Sequence, residues 1–238
     1  RERTGSDMTE RLGLLLCQAY GALGRLGKAA VLSLALAAPV AAQELTIAAL
    51  GDSLTQGYGL LQEQGFTAQL QDWLVARGHD VTVLNGGVSG DTTAGGLARV
   101  GWMLTPDVDA MIVALGGNDL LRGIPPEASR ANLDGILQAA QAAGVPVLLV
   151  GLTAPGNYGP DYQAAFDAMY HDLAQAYDSL YVESFLGALS EAAEDDRQGV
   201  LSAYMQADGI HPNAAGVALI VEALGPEVER LIARATGS

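Results

Sequence analysis

Cysteine and lysine are nearly absent from this chain of 238 residues, which contains one of each, Cys17 and Lys28. A single thiol forms no disulfide within the chain and cannot supply the several cysteine ligands of a structural zinc site. Acidic residues outnumber basic ones by 27 to 12, and the formal net charge is −15. Because nucleic-acid binding requires clustered lysine and arginine side chains that displace counterions, we expect no nucleic-acid partner.

The first 42 residues differ from the rest in charge and composition. They hold five of the twelve basic residues, and an apolar run from Ala29 to Val40 is followed by the small residues Ala41 and Ala42. This layout is typical of a secretory signal peptide, so we predict an N-terminal extension and signal peptide over residues 1–42, cleavage after Ala42 and a periplasmic mature domain over residues 43–238. The alternative is a retained membrane anchor, but the run is shorter than the roughly 20 residues that span a bilayer.

Five short apolar segments are typical of buried strands, and segments with helical periodicity lie between them. The predicted strands are residues 45–50, 81–84, 110–115, 145–151 and 180–182. The predicted helices are residues 67–77, 95–104, 126–143, 161–177 and a last one from 211 or 212 to about 232, while the acidic residues 191–196 are expected in a solvated loop or on a helix face. This alternation predicts an α/β fold, a three-layer α/β/α sandwich around a five-stranded parallel sheet, with no second domain.

Small and polar residues follow the first three predicted strands. They are Gly51-Asp52-Ser53, the segment around Gly90, and Gly117-Asn118-Asp119. In open parallel sheets the functional site lies beyond the carboxyl ends of the strands, so these segments are expected to face one crevice. The segment Asp208-Gly209-Ile210-His211, which precedes the last helix, can reach the same edge.

Together these segments supply the groups that acyl transfer requires. Ser53 lies at a strand-to-helix turn, which exposes its hydroxyl as a nucleophile. The backbone N–H groups of Ser53 and Gly90 and the side-chain amide of Asn118 are candidate donors to an oxyanion. Asp52 is expected to have a structural role, through hydrogen bonds within the turn.

The chain has three histidines, and the base is identified among them by elimination. His79 lies in a helix-to-strand turn at the opposite end of the sheet, and His171 lies within a predicted helix as an ordinary surface or packing residue. His211 remains, and Asp208 can accept a hydrogen bond from one imidazole nitrogen so that the other faces Ser53. Activity is then expected to rise as His211 loses its proton, near or above neutral pH.

The same segments resemble the four sequence blocks of the SGNH hydrolases, also called GDSL esterases. The strings at residues 51–59, 88–93 and 116–123 are similar to the branch of periplasmic acyl-CoA thioesterase I, lysophospholipases and arylesterases, and the resemblance covers nearly all of residues 46–232. It implies a flavodoxin-like sandwich, a triad of Ser53, Asp208 and His211, and no cofactor or metal. Gly86, Gly87 and Gly90 each offer an N–H, and Gly90 is assigned to the oxyanion hole with Ser53 and Asn118 because Ser-Gly-Asp-Thr is the matching string.

The resemblance also implies where the substrate binds. In that branch the segment corresponding to residues 120–126 forms a loop that lines the acyl groove, which makes Leu120, Leu121 and Ile124 candidates, and Tyr158 is a candidate for a second wall. These apolar residues favour medium-chain esters or thioesters as small-molecule or lipid-like partners, with lysophospholipids as a further candidate. We expect a monomer without a stable membrane anchor.

Other functions fit the sequence less well. A carbohydrate O-deacetylase on the same scaffold is the alternative within catalysis. A non-catalytic anion-binding module is disfavoured because the first strand-to-helix turn lacks Gly-x-Gly-x-x-Gly and no Gly-Lys-Ser/Thr follows any predicted strand. A metal hydrolase is disfavoured because Asp208 and His211 lack a second histidine at ligand spacing.

Overall fold

The computed structural model describes residues 44–237, and within them five parallel strands form one sheet. The order across the sheet is β2-β1-β3-β4-β5. The strands are β1 (Leu45–Gly51), β2 (Val81–Gly87), β3 (Ala110–Ala114), β4 (Val147–Val150) and β5 (Leu180–Val182). Since β1 lies between β2 and β3, the chain reverses its direction across the sheet at β1, and the crevice expected at such a reversal lies at the carboxyl end of this strand.

Helices connect the strands and cover both faces of the sheet. They are α1 (Ser53–Gln56), α2 (Phe66–Val75), α3 (Thr93–Met103), α4 (Gly117–Leu121), α5 (Pro126–Ala143), α6 (Pro160–Ala176), α7 (Gly187–Tyr204) and α8 (Ala214–Thr236). Two single turns of 3₁₀-helix lie at Gln62–Gln64 and Gly156–Tyr158.

Alternating side chains of the strands produce two separate apolar layers. In β1, Ile47 and Ala49 point to the layer beneath α2 and α8, whereas Ala48 and Leu50 point to the layer beneath α3, α5 and α6. Leu50 is fully buried, as is Ile47. The predicted three-layer α/β/α sandwich is therefore confirmed, and it holds the carboxyl ends of the strands in a fixed arrangement.

Several elements differ from the predicted bounds. Strand β2 continues to Gly87 because its pairing with β1 extends to Gly51. Helix α8 begins at Ala214 rather than at residue 211 or 212, because the Asn213 side chain caps it by accepting hydrogen bonds from the N–H groups of Ala215 and Gly216. Helix α7 carries the segment 191–196, which the sequence placed in a solvated loop or on a helix face, and its helical geometry breaks at Asp196.

The predicted signal peptide lies outside the described residues. Within residues 44–237, no helix is both long enough and apolar enough to cross a membrane.

Candidate active site

Ser53 is the first residue of α1, two residues after the last residue of β1. The chain turns here because Asp52 caps the helix, its Oδ1 accepting a hydrogen bond of 3.0 Å from the N–H of Leu54. A side chain at Gly87 would collide with the backbone of Thr55 and Gln56, so only glycine lets β2 pass this close to α1. The turn therefore holds the Ser53 hydroxyl at the carboxyl edge of the sheet.

His211 links Ser53 to Asp208 in a hydrogen-bonded row. Its Nε2 lies 2.9 Å from Ser53 Oγ, and its Nδ1 lies 2.7 Å from Asp208 Oδ2. When Nδ1–H donates to Asp208, Nε2 is left without a proton and can accept one from the Ser53 hydroxyl. The structure thus brings together the three residues that the sequence assigned to a triad.

Asp208 is held by the loop that it belongs to. Its Oδ1 accepts hydrogen bonds from the N–H groups of Ile210 and His211, at 2.9 and 3.0 Å. The hydrogen bond from the His211 side chain, followed by these two backbone bonds, lowers the pKa of Asp208 to about 2. The carboxylate is therefore ionised at neutral pH and can stabilise a positive charge on His211.

Tyr58 is a site residue that the sequence reasoning did not assign. Its ring lies against the ring of His211, with 4.7 Å between the centroids and a tilt of 40°. The side chain of Gln206 donates hydrogen bonds to the carbonyl oxygens of Tyr58 and Pro212, at 2.7 and 3.0 Å. Two contacts therefore connect the segment after Ser53 to the loop that carries His211.

Asn118 and Gly90, the two further candidate oxyanion donors, lie beside Ser53 in the same pocket. Gly116, with φ of 121°, turns the chain out of β3 so that α4 begins at Gly117, one residue before Asn118. The fully buried carboxylate of Asp119 fixes this turn by accepting hydrogen bonds from Thr93 and Ser129. Asn118 is therefore presented from a rigid turn.

Of the three glycines in the second block, Gly90 is the one that lines the pocket. The N–H of Gly87 already donates to Asn85 Oδ1 at 2.9 Å, and Gly86 pairs with Leu50 in the sheet. These contacts favour Gly90 as the donor from this segment. Gly90 has φ of 80°, and its carbonyl oxygen accepts a hydrogen bond of 2.8 Å from Arg122.

Asp52 is buried and contacts Asn118 as well as the turn. Its Oδ2 lies 3.4 Å from the amide nitrogen of Asn118, which is a long hydrogen bond. Burial raises the pKa of Asp52 above its ordinary value of 3.8, and the hydrogen bonds from Leu54 and Asn118 act in the opposite direction. The expected local hydrogen bond is present, and the contact with Asn118 adds an orienting role.

Arg99 is a second residue that the sequence reasoning missed. Its guanidinium donates to the carbonyl oxygens of Gly51 and Gly86, at 2.7 and 2.6 Å, and pairs with Asp91 at 2.7 Å. It therefore joins the ends of β1 and β2 to the segment that follows Gly90. A sequence signal exists, since Arg99 is one of only two arginines between residues 78 and 129, but its partners are backbone carbonyls that no motif reveals.

A mainly apolar pocket of about 380 Å³ surrounds Ser53, and we call it the active-site pocket. It is lined by Asp52, Ser53, Leu54, Tyr58, Ser89, Gly90, Gly117, Asn118, Leu120, Leu121, Leu152, Thr153, Leu186, Ile210 and His211. Leu120 and Leu121, two of the candidate substrate-binding residues, are thus among the lining residues. Ile124 and Tyr158 are not among the lining residues: the Ile124 carbonyl accepts a hydrogen bond from Tyr162, and the Tyr158 hydroxyl lies 3.4 Å from the Leu121 carbonyl.

The other two histidines are remote from this pocket. His79 Nε2 lies 3.0 Å from Glu229, near the carboxyl end of α8. His171 lies on α6, with Gln175 at 3.2 Å and its ring against Tyr181. Neither is among the pocket residues, so His211 is the histidine that contacts Ser53.

Comparison with known proteins decides the family. Residues 49–219 match the model of the GDSL-like lipase/acylhydrolase family. The chain belongs to this family. The GDSL family assignment is supported by esterase TesA of Pseudomonas aeruginosa, which is 39% identical over 188 residues, 79% of this chain and 89% of that protein. Thioesterase 1/protease 1/lysophospholipase L1 of Escherichia coli strain K12 is 34% identical over 188 residues, 79% of this chain and 85% of that protein.

The crystal structure of TesA superposes on this GDSL-family chain with a TM-score of 0.70. The match has 38% sequence identity and covers 78% of this chain and 99% of that one. The family resemblance, the fold and the general class expected from the sequence, an ester-hydrolysing enzyme, are therefore confirmed.

Proposed function

We propose that this GDSL-family enzyme hydrolyses acyl esters or thioesters through an acyl-enzyme on Ser53. The observation that carries the proposal is the row Ser53–His211–Asp208, with both hydrogen bonds shorter than 3 Å at the mouth of an apolar pocket. In the first step His211 Nε2 accepts the proton of Ser53 as Oγ attacks the acyl carbon. Asp208 holds the imidazole in the required tautomer and stabilises its positive charge.

The negative charge of the tetrahedral intermediate develops on the former carbonyl oxygen. The N–H groups of Ser53 and Gly90 and the amide of Asn118 are assigned to it as donors. His211 then gives its proton to the leaving alcohol or thiol as the bond to the acyl carbon breaks. In the second half, water attacks the acyl-enzyme with His211 again as base, which releases the acid and restores Ser53.

An apolar acyl group of medium length is the substrate that the pocket favours. Leu120 and Leu121 follow Asn118 along α4 and offer an apolar surface on the oxyanion side, and Leu121 is 62% exposed. Each buried methylene contributes about 0.8 kcal/mol, so an acyl chain lying on this surface gains affinity with length. Acyl thioesters and lysophospholipids both contain such an acyl chain. The name of the Escherichia coli relative includes thioesterase and lysophospholipase.

The test compares kcat/KM for esters of one alcohol with acyl chains from two to twelve carbons, in wild type and in Leu121→Asp. The wild type should prefer medium chains, and the variant should lose that preference because a carboxylate replaces the apolar surface. Leu84→Asp, a change at an exposed leucine outside the pocket, is the matched control and should keep the wild-type profile. An unchanged chain-length profile in Leu121→Asp would show that this surface does not bind the acyl chain.

The alternative function is tested by comparing acetyl-xylan with octanoyl esters. Faster release of acetate from acetyl-xylan than of octanoate from octanoyl esters would favour the carbohydrate deacetylase.

We further propose that residues 1–42 direct export and that residues 43–238 act in the periplasm as a monomer. The support is the order of basic, apolar and small residues before Gln43. N-terminal sequencing of the protein recovered from a periplasmic extract should give Gln43 as the first residue. A protein that keeps residues 1–42 and sediments with membranes would contradict this proposal.

A further inference from the structure

A second apolar groove, of about 510 Å³, lies next to the active-site pocket. We call it the α7 groove, and its walls come from both sides of the break in α7 at Asp196 and from the segment before His211. The lining residues are Leu186, Leu189, Ser190, Ala193, Arg197, Val200, Leu201, Met205 and Gly209. No step of the mechanism above uses this groove.

The α7 groove adjoins the active-site pocket. Leu186 lines both, and Gly209 of the groove precedes Ile210, which lines the pocket. The two cavities therefore share Leu186 as a common wall.

The chemistry at Ser53 determines which part of an ester points toward this groove. The carbonyl oxygen must face Asn118 and Gly90, and the leaving oxygen must lie within reach of His211 Nε2, which protonates it. With the acyl chain along Leu120 and Leu121, the leaving group lies on the other side of Ser53, toward His211. Ile210, which precedes His211 in the chain, and Leu186 line the pocket, and Leu186 also lines the α7 groove.

We propose that the α7 groove binds the alcohol part of the ester, and that this part is an alkyl chain. The inference rests on the proposed esterase function and adds the leaving-group side of the substrate to it. The argument for an apolar occupant is the lining itself, which consists mainly of leucine, valine, methionine and alanine. Leu201 is 38% exposed and Leu189 is buried, so the groove has an apolar floor and an accessible apolar rim.

The experiment uses two series of esters and measures acid release by titration at constant pH. One series keeps a butanoyl group and varies the alcohol from methanol to decanol, and the other keeps methanol and varies the acyl chain. In wild type, kcat/KM should rise along the alcohol series by up to about fourfold per methylene once the chain passes Leu186. In Leu201→Asp this rise should be lost, while the rise along the acyl series is retained.

Two further variants separate the groove from general effects of mutation. Ala193→Trp narrows the groove without making it polar, so it should move the preferred alcohol to a shorter chain. Val75→Asp changes an exposed apolar residue on α2 and should leave both series unchanged. Circular dichroism and the midpoint of urea unfolding establish that each variant is folded.

The outcomes distinguish this inference from the proposed function. The groove assignment would be overturned if kcat/KM in wild type did not change with the length of the alcohol, or if it changed equally in wild type and Leu201→Asp. The proposed esterase function would still stand in that case, provided that hydrolysis depends on Ser53. Loss of slope in Leu201→Asp together with the shorter optimum of Ala193→Trp would support the assignment. Absence of any hydrolysis that depends on Ser53 would overturn both.

Discussion

Arg99 Nη2 donates a hydrogen bond of 2.7 Å to the carbonyl oxygen of Gly51, two residues before Ser53. The same guanidinium holds the Gly86 carbonyl and the Asp91 carboxylate. One partly buried side chain, 21% exposed, thus fixes the ends of two strands and the segment after Gly90. The relative position of the proposed nucleophile, Ser53, and of one proposed oxyanion donor, Gly90, depends on it.

Arg99→Met should therefore impair catalysis more than its distance from the reacting atoms suggests. We expect kcat/KM to fall about 100-fold, because a displacement of about 1 Å between reacting groups has an effect of that size. The free energy of unfolding should fall by about 2–3 kcal/mol, since hydrogen bonds to a charged group are lost. Arg99→Lys should recover part of both losses because its ammonium group replaces the charge but not the planar fork. Steady-state kinetics and urea unfolding measure the two effects.

Arg130→Met is the matched control for this prediction. Arg130 pairs with Asp172 on the surface, where both side chains are about half exposed, so its loss should change the free energy of unfolding by less than about 1 kcal/mol. Wild-type kcat/KM in Arg99→Met at a temperature where it is folded would refute the positioning role.

Asp52→Asn should separate stability from catalysis. Burial raises the pKa of Asp52, so in wild type its contribution to stability falls as pH rises above 3.8 and the buried group ionises. Asp52→Asn has no carboxyl to ionise at this position, so it does not lose stability in this way. The free energy of unfolding of the variant minus that of wild type should therefore be greater at pH 7 than at pH 3. The variant should nevertheless have a lower kcat, by about tenfold to 100-fold, because Asn118 loses the carboxylate that orients its amide.

Urea unfolding at the two pH values and kcat at pH 8 test this pair of effects. Asp107→Asn, at an exposed carboxyl, is the control and should change neither quantity. If Asp52→Asn kept the wild-type kcat, the orientation of Asn118 would not depend on this contact.

Tyr58→Ala should lower kcat/KM by about tenfold or less, because an aromatic contact of this kind contributes about 0.5–1.5 kcal/mol. Tyr58→Phe retains the ring and should behave as wild type. Steady-state kinetics of the two variants separates the effect of the ring contact with His211 from the effect of the Tyr58 hydroxyl. Equal activity of the alanine and phenylalanine variants would mean that the ring does not position His211.

Asp208→Asn should lower kcat by about 10⁴-fold, because an amide no longer holds His211 in the tautomer that accepts the Ser53 proton. The pKa of Asp208 is lowered to about 2, so Asp208 should not titrate in the wild-type profile of kcat/KM between pH 4 and 9. The lowered pKa also gives Asp208 a stabilising effect that is complete above pH 3.8 and is lost as pH falls toward 2. The stability difference from the variant should therefore shrink over that interval. A titration near pH 5 that is present in wild type and absent from Asp208→Asn would contradict this account.

The fold and the residues around Ser53 were predictable because strong local signals specify them. Buried strands, helix-ending glycines and the string at residues 51–54 each leave a pattern in the sequence, and the sheet brings the ends of the strands together. Ser53, Gly90 and Asn118 each follow a parallel strand, so they are expected at the edge of the sheet that the carboxyl ends of the strands form.

The contacts that support the site were less predictable. Arg99 binds backbone carbonyls, which have no sequence identity, and Tyr58 meets His211 across 153 positions of the chain. The sequence left a loop and a helix face both open for residues 191–196, because no local pattern reveals helix α7 or the break in its helical geometry at Asp196. The positions of Ile124 and Tyr158 depend on how a loop packs onto its neighbours, and a resemblance between strings does not define that packing.

The most direct test of the central claim is the intact mass of the purified protein after treatment with a fluorophosphonate. An activated serine displaces fluoride and gains one phosphonyl group, whereas an ordinary serine hydroxyl does not react on the same timescale. Wild type should gain the mass of one adduct, Ser53→Ala should gain none, and Asp208→Asn should react more slowly than wild type. Absence of an adduct on folded wild type, or an adduct that persists in Ser53→Ala, would contradict the assignment of Ser53 as the nucleophile.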